Sequence, residues 1–194
     1  MVRSLLFLIP LALLPPEAAA KLTVGPLSLD SLVTFIRSAR ESIQLENQYL
    51  KDPALNGALV DAAKRGVHVS VMVASACSFG RPKPTEAKTL TSIFEDFDAA
   101  GISTRMFTRN MQVGGYPGYL HAKAIVIDGS KSWLGSVNGS TESLSHNREF
   151  GIYFDSALDV GNLNKVLQSD FTDSKSETWQ DSLDCAENGR QEKM

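Results

Sequence analysis

The sequence predicts an α/β fold in which a mixed β-sheet is flanked by helices. Two observations support this class: segments with apolar residues at helical spacing alternate along the chain with short runs rich in β-branched residues. The 194 residues are 43 % hydrophobic and 21 % charged, a composition typical of an ordinary globular protein. We therefore expect a single domain in which helices and one sheet form a sandwich around a core.

The first predicted elements are defined by their apolar spacing and by their end signals. Residues 28–40 repeat apolar side chains at helical spacing, and residues 42–50 follow as a strand with mixed faces. Residues 52–66 are predicted to be a helix because Pro53 stands in the first turn and Gly66 is placed as the C-cap. This order of helix, strand and helix begins the alternation that predicts the fold class.

The same alternation continues to the end of the domain. Residues 67–74 are apolar on both faces, as in a central strand that helices cover. A loop rich in Pro, Gly and Ser follows, and a second glycine-rich loop precedes a predicted hairpin. After residue 85 we expect helices at 86–100 and 157–170, and strands at 102–107, 120–127 and 148–155.

The two ends of the chain differ from this pattern. The first twenty residues, MVRSLLFLIPLALLPPEAAA, combine Arg3, an apolar run too short to span a bilayer, prolines and small residues. This pattern predicts a signal peptide over 1–20, cleavage near Ala20, and an exported, periplasmic or secreted protein without a transmembrane anchor. The domain then covers 21–172, and a polar tail that we expect to be frayed covers 173–194.

The two cysteines leave two alternatives open. In an exported protein, Cys77 and Cys185 can form one disulfide that ties the C-terminal tail to the loop after Val73. They can equally remain two inert thiols. Neither has the spacing of a zinc ligand.

The run YLHAKAIVIDGSKSWLGSVNGS concentrates polar side chains of several kinds. In a strand His121 and Lys123 lie on one face, and Asp128 opens an Asp-Gly turn suited to a tight hairpin. With a two- or four-residue loop, Lys123 lies opposite Ser136 and His121 lies opposite Asn138. We therefore predict a polar patch at the open end of the hairpin.

These residue types suit the chemistry of a phosphate ester. Lys123 offers a charge and Asn138 an amide donor to phosphate oxygens, Ser136 adds a hydroxyl, and Gly135 permits close backbone approach. His121, neutral near pH 7, can attack phosphorus. No acidic pair accompanies this patch, so the sequence predicts neither a metal nor a cofactor.

The spacing His-x-Lys-x4-Asp, followed after six residues by Gly-Ser-x-Asn, closely resembles the signature of the phospholipase D superfamily. The stretches ENQYLKDPALNGALVDAAKRGVHVSVMV and NREFGIYF resemble the flanking elements of its catalytic half, and the likeness covers nearly all of 22–171. The resemblance implies a hydrolase acting on phosphoric diester bonds. The motif positions are filled by His121, Lys123, Asp128, Gly135, Ser136 and Asn138.

The resemblance also implies a role for each site residue. The imidazole of His121 would become a phosphohistidine, Lys123 and Asn138 would hold the phosphate, and Asp128 would be mainly structural and orienting. Glu149 would accept a hydrogen bond from the nucleophilic imidazole. The alternative for Glu149 is a surface ion pair with the neighbouring arginine.

This chemistry needs two histidines, one to attack and one to act as an acid, and this chain has only one motif. His68 and His146 lack the lysine and the aspartate that follow the motif histidine. Exported single-motif bacterial endonucleases of the superfamily are similar in architecture. The resemblance therefore implies a homodimer in which each chain supplies one motif to a shared site.

The substrate is the least defined part of the prediction. We place a phospholipid phosphodiester first, because the flanking segments resemble the C-terminal half of two-motif phospholipase D-like proteins and the net charge of −3 gives no general basic field. The alternatives are a metal-independent endonuclease acting on DNA or RNA and an inactive half-domain that only binds anionic ligands. The loop cations that nucleic acid would contact are Arg81, Lys83, Arg105 and Arg109.

Overall fold

Seven strands form one mixed sheet in the order β1-β9-β8-β7-β2-β3-β4, and a separate two-stranded ribbon pairs β5 with β6. This computed structural model describes residues 19–25 and 29–188. Within these residues the strands are Ala20–Val24 (β1), Ser42–Asn47 (β2), His68–Ala74 (β3), Ser103–Phe107 (β4), Gln112–Val113 (β5), Tyr116–Pro117 (β6), Lys123–Ile127 (β7), Lys131–Gly135 (β8) and Phe150–Phe154 (β9).

Helices cover both faces of this sheet, which confirms the predicted fold class. On one face Ile125 and Ile127 of β7 join the main core with the first three helices, and on the other face Ala124 and Val126 pack beneath the fifth. A short 3-10 turn covers Ala76–Phe79. The helices are Leu29–Arg37 (α1), Pro53–Lys64 (α2), Pro84–Ala99 (α3), Thr141–Ser145 (α4), Ala157–Thr172 (α5) and Trp179–Glu187 (α6).

The strand directions bring several chain segments to one edge of the sheet. Strands β2, β3 and β4 are parallel, so their carboxyl ends meet at the same edge. Strand β7 is antiparallel to β2, and Asn47 at the end of β2 pairs with Lys123 at the start of β7. The motif therefore begins where the parallel strands end, which is the edge at which α/β sheets generally bind ligands.

The predicted pairing of the β7–β8 hairpin is wrong by one residue. Ile127 pairs with Lys131, so three residues form the turn and Lys123 falls opposite Gly135 rather than Ser136. Asp128 and Gly129 both adopt positive φ angles, as the Asp-Gly pair predicts, but Ser130 adds one more residue before pairing begins. Consequently Ser136 and Asn138 stand beyond the strand and reach the site from a loop.

The expectation of a frayed C-terminal tail is wrong for the described part of that tail. Helix α6 packs back on the domain: the Trp179 ring stacks on Phe94 at 5.8 Å, and its Nε1 donates to Asp98 at 2.9 Å. A disulfide joins Cys77 to Cys185 across a separation of 108 residues, which decides between the two alternatives for the cysteines. Local sequence polarity did not reveal these tertiary contacts.

The predicted signal peptide lies almost wholly outside the described residues, because the description begins at Ala19. Ala20, after which we expect cleavage, is the first residue of β1 and pairs with Phe154. In the part of the chain that the structure covers, none of the helices has the length and apolar character to cross a bilayer.

Candidate active site

The predicted site residues divide between the two ends of the β7–β8 hairpin. His121, Lys123, Ser136 and Asn138 belong to the open end, together with Glu149, which precedes β9. The structure thus brings five of the predicted catalytic residues to one end of the hairpin and places Asp128 at the other.

Lys123 is a buried cation held at the start of β7. The residue is 4 % exposed, and its Nζ donates to the backbone oxygen of His121 at 2.7 Å. Burial lowers the pKa of the lysine, and the negative charge of Glu149 partly opposes this shift. An ammonium with one fixed hydrogen bond keeps further N–H groups to offer an incoming anion.

Glu149 is buried at 6 % exposure, so it does not form the surface ion pair that was the alternative in the sequence. Its Oε2 accepts a short hydrogen bond from Ser136 Oγ, which also accepts from the backbone N–H of Phe150 at 3.1 Å. The neighbouring Arg148 lies with its guanidinium over the Phe150 ring, 5.6 Å from the centroid. A bond between Glu149 and the His121 imidazole stays a prediction.

His121 is exposed at the surface, and its ring stacks on that of Tyr119 with centroids 6.3 Å apart and planes at 23°. The Tyr119 hydroxyl accepts from Gln48 Nε2 at 2.8 Å, and the Phe79 ring packs edge-on against Tyr119 at 5.8 Å. Aromatic contacts therefore orient the imidazole from one side and leave it accessible.

Asn138 stands in a loop that the end of β2 clamps in place. Asn47 Nδ2 donates to the Val137 carbonyl and Asn47 Oδ1 accepts from the Gly139 N–H, each at 3.2 Å. Asn138 Nδ2 donates to the Tyr49 hydroxyl at 3.2 Å, while its Oδ1 is buried and has no partner. A buried polar atom without a partner is unusual and is a common sign of a ligand-binding position.

Two glycines permit this loop to lie so close to its neighbours. A Cβ on Gly139 would come within 2.6 Å of the Leu50 side chain, and one on Gly135 within 2.5 Å of the Phe150 carbonyl. Both distances are shorter than any normal carbon contact, so neither position accommodates a side chain without displacement. Close approach at Gly135 agrees with the sequence interpretation of that residue.

Asp128 has a structural environment at the turn. Its Oδ1 accepts from the backbone N–H groups of Glu41 at 2.8 Å, Ser42 at 3.0 Å and Arg40 at 3.1 Å. Burial alone would raise the pKa of this carboxyl, but the backbone hydrogen bonds outweigh burial and lower it. The carboxylate ties the β7–β8 turn to the α1–β2 loop.

The other two histidines do not join this group. His68 starts β3 and pairs with Ser42, at the edge opposite to the open end of the β7–β8 hairpin, and His146 is exposed at the end of α4. Among the four loop cations, Arg105 is engaged with Ser176, to which its Nε donates at 2.9 Å. Arg105 is therefore a structural contact between β4 and the segment before α6.

Sequence reasoning did not identify Asn47, Tyr49 and Tyr119 as site residues. Their roles follow from the end of β2 and the start of β7 lying side by side, which the strand order decides. A signal was present in the polar and aromatic residues at the end of β2, from Asn47 to Tyr49, because carboxyl ends of parallel strands form the ligand-binding edge of α/β sheets.

The fold and the site define a class of protein: an α/β sandwich of the phospholipase D type that presents a patch of His, Lys, Ser and Asn at one edge of its sheet. The family profile described as "Cardiolipin synthase, PLD-like domain" matches residues 32–173. The chain belongs to this family and hence to the phospholipase D superfamily.

Curated relatives match the chain at moderate identity. Cardiolipin synthase A of Pseudomonas entomophila (strain L48) is 31 % identical over 150 residues, which is 77 % of this chain and 29 % of that protein. Phospholipase D Y of Dictyostelium discoideum is 33 % identical over 138 residues, or 63 % of this chain and 29 % of that protein. The chain thus spans less than a third of these relatives.

Two solved structures have the same fold over almost their whole length. Nuc from Salmonella typhimurium, a phospholipase D family member, has a TM-score of 0.65 at 20 % identity, and the match covers 83 % of this chain and 99 % of Nuc. NucT from Helicobacter pylori has a TM-score of 0.66 at 20 % identity, with 79 % and 96 % covered. At this identity the likeness supports the fold alone.

Proposed function

We propose that this protein is a phosphodiesterase of the phospholipase D type that hydrolyses a phospholipid phosphodiester through a phosphohistidine at His121. The observation that carries this proposal is the exposed imidazole of His121 beside the buried ammonium of Lys123 and the amide of Asn138, whose Nδ2 has a second N–H besides the one that it donates to Tyr49. This combination supplies a nucleophile and donors for phosphate oxygens within one patch.

The reaction has two displacements. A ring nitrogen of His121 attacks phosphorus, the bond to the alcohol oxygen breaks, and an acid protonates that oxygen as it leaves. Water then attacks the phosphohistidine, so that a phosphate monoester departs and the imidazole is restored. Lys123 and the Asn138 amide N–H groups hold the non-bridging oxygens, and because these donors are already in place they stabilise the charge of the transition state without reorganising.

We propose that the acid is His121 of a second copy, in a homodimer that completes the site. A strip of exposed apolar side chains next to the motif supports a partner on this side. Phe150 pairs with Val24 across β9 and β1, and Leu134 lies beside Ile152 and Leu22 on the same face. Helix α5 packs mainly on β2, β3, β4 and β7, and four side chains of this strip stay exposed. The exposed members are Leu22, Val24, Leu134 and Phe150.

An endonuclease acting on DNA or RNA is the second candidate. It is favoured by the length of the fold, because Nuc and NucT are single chains that this fold covers almost completely. The curated relatives at higher identity, cardiolipin synthase A and phospholipase D Y, favour the lipid substrate and keep it first. Export after cleavage near Ala20 is part of the same proposal.

A direct test compares phosphatidylcholine and plasmid DNA as substrates, each with and without EDTA. We expect release of the head group, no inhibition by EDTA, and no activity in His121→Ala. With lipid labelled at the phosphate, an acid quench during turnover should leave the label on the peptide from Tyr119 to Asp128. Cleavage of DNA alone would select the second candidate, and no product from either substrate would favour an anion-binding half-domain.

Subunit mixing tests the shared site. If each site needs His121 from two chains, an exchanged 1:1 mixture with His121→Ala should retain about half of the activity per wild-type chain. A monomeric enzyme would retain all of it. Leu134→Glu, which charges the apolar strip, should yield monomers with little activity, whereas full activity in a monomeric variant would contradict the homodimer.

A further inference from the structure

A cavity of about 190 Å³ opens at the carboxyl ends of β2, β3 and β4, beside the motif. Its lining is mostly apolar and buried. The apolar lining includes Leu50, Val73, Phe94, Met106 and Leu183. The cavity is smaller than a pocket that encloses a whole drug-sized ligand, so it suits one substituent of a larger molecule.

The two oppositely charged side chains of the lining, Lys51 and Glu86, are paired with each other. Further polar side chains of the lining are Gln48, Arg81 and Ser182. Lys51 Nζ lies 2.5 Å from Glu86 and 5.1 Å from the centroid of the Tyr49 ring. Both charged side chains are about two-fifths exposed, at 38 % and 42 %. The charges of Lys51 and Glu86 therefore lie on the solvent side of the cavity. The interior of the cavity offers dispersion contacts and few polar partners.

Two residues of the lining contact the catalytic motif. Tyr49 accepts the hydrogen bond from Asn138, and Gln48 donates to Tyr119, whose ring stacks on His121. One aromatic layer thus separates the cavity from the nucleophile. A group attached to a phosphate at His121 can reach the cavity mouth across that layer.

One wall of the cavity comes from outside the part of the chain that matches the family. The family match ends at residue 173, whereas Leu183 belongs to α6. The disulfide fixes α6 to the 3-10 turn, and Ser182 Oγ accepts from the Ala76 N–H at 2.7 Å. Helix α6 therefore supplies one wall of the cavity from a segment that the family match does not include.

We propose that this cavity is a specificity subsite for a hydrocarbon substituent on the non-leaving side of the phosphodiester, and that α6 sets its depth. The proposal rests on the proposed phosphodiesterase function. Since a cavity of about 150 Å³ lined by apolar side chains holds benzene, this one accommodates a short alkyl segment of the substrate and excludes a second chain. A nucleobase fits less well, because the deep lining offers few hydrogen-bond partners for its edges.

A series of soluble alkyl 4-nitrophenyl phosphates tests the subsite, with alkyl groups from methyl to decyl and nitrophenolate as the measured product. We expect kcat/KM of the wild-type protein to rise about two- to fourfold per methylene and then to level off when the cavity is filled. A flat profile with the methyl ester still cleaved would overturn the subsite and leave the phosphodiesterase function standing.

Two variants move the plateau in opposite directions. Leu183→Trp fills the cavity and should level the profile at shorter chains, while Leu183→Ala deepens it and should extend the rise. Leu158→Trp, which places the same large ring at an exposed site on α5, should leave the profile unchanged. Cleavage of the methyl ester shows that each variant is folded. If the plateau then stays at the same chain length in both Leu183 variants, the role of α6 is refuted.

Binding separates the subsite from the chemistry. In His121→Ala, calorimetry with dimethyl, methyl butyl and methyl hexyl phosphate should show affinity that rises with chain length, even if no ester is hydrolysed. Rising affinity without turnover in the wild-type protein would keep the subsite and reject the proposed function. Thymidine 5′-(4-nitrophenyl phosphate) serves as the nucleobase probe, and a kcat/KM above every alkyl ester would reject the hydrocarbon assignment.

Discussion

The two ends of the β7–β8 hairpin carry residues of the same motif in opposite physical states. At the turn, the Asp128 carboxylate accepts hydrogen bonds from three backbone N–H groups, which lower its pKa. At the open end, His121 is exposed, Lys123 is buried with a single hydrogen bond, and Asn138 keeps an unpartnered buried oxygen. Roughly 20 Å of strand separates these ends.

The difference teaches how to divide a motif into structural and reactive parts. A polar group whose hydrogen-bonding capacity is filled by backbone stabilises the fold, because breaking those bonds leaves donors unpaired. A polar group that is buried or positioned with capacity left over is available to a ligand. On this basis Asp128 stabilises the hairpin, and the open end keeps the groups that are available to the proposed phosphate.

The largest expected effect is at the open end. His121→Ala should lower kcat/KM for the preferred phosphodiester by at least about 10³-fold, as removal of a covalent nucleophile does. Because the ring is exposed, we expect the urea midpoint to change little. Steady-state kinetics check the expected loss of activity, and urea denaturation of the same preparation checks the unchanged stability. Substantial unfolding in this variant would erase the distinction between the two ends.

Asp128→Ala should do the reverse at the turn. Loss of the acceptor for Arg40, Glu41 and Ser42 should reduce the free energy of unfolding by about 2–4 kcal/mol, with activity of the folded protein kept within severalfold. Because the folded pKa is lowered, this contribution is present above the unfolded pKa of about 4 and is lost as the pH falls through the folded value. In urea titrations, the free energy of unfolding of Asp128→Ala should therefore lie far below that of the wild-type protein at pH 7 and only slightly below it at pH 3.

Glu46 extends the comparison from the two ends of the hairpin to the two faces of the sheet. It neighbours Asn47 on β2 but lies on the opposite face beneath α5, where burial, the charge of Asp170 and a hydrogen bond with that residue raise its pKa to about 8. With a raised folded pKa, its contribution is complete below about pH 4.5 and declines as the pH rises to about 8. Urea unfolding at pH 5 and pH 8.5 should show a loss on the order of a few kcal/mol in the wild-type protein.

The matched variant Glu46→Gln keeps a donor toward Asp170 and removes the titration. We expect it to abolish most of this pH dependence while leaving the pH profile of catalysis unaltered. A shifted catalytic profile would mean that the face beneath α5 is coupled to the chemistry.

The smallest expected effect is at His68, which lies at the sheet edge opposite to the open end of the hairpin. His68→Gln should leave kcat/KM within about twofold and the free energy of unfolding within about 0.5 kcal/mol. Kinetic and urea measurements identical to those used for His121→Ala make the comparison direct. A large loss of activity would identify His68 as the missing acid and remove the need for a second chain.

Much of this architecture was accessible from local patterns. The helices at 52–66 and 86–100 and the strands near 67–74 and 120–127 have strong periodicity and end signals, and the structure places them within a few residues of the prediction. Strand β1 and helix α6 were missed. The first is a short exposed edge strand and the second is a polar helix, so each depends on a partner distant in sequence.

The one-residue error in the hairpin has a similar origin. Asp128 and Gly129 take the positive φ angles that their types favour, but pairing starts only at Lys131. The carboxylate of Asp128 bonds the α1–β2 loop, which is more than eighty residues away in the chain, and a local turn rule contains no information about that contact.

By itself the sequence determined which residue types meet: the motif histidine, lysine, serine and asparagine follow from spacing, since chain geometry limits where neighbours on a strand can point. Only the tertiary structure decided which of these side chains have all their hydrogen bonds filled and which residues surround them. Tyr49 and Tyr119 join the site because three parallel strands end beside β7, and Leu183 lines the neighbouring cavity because a disulfide returns α6 to that edge. Those contacts are set by burial and strand order over long separations, which no local pattern encodes.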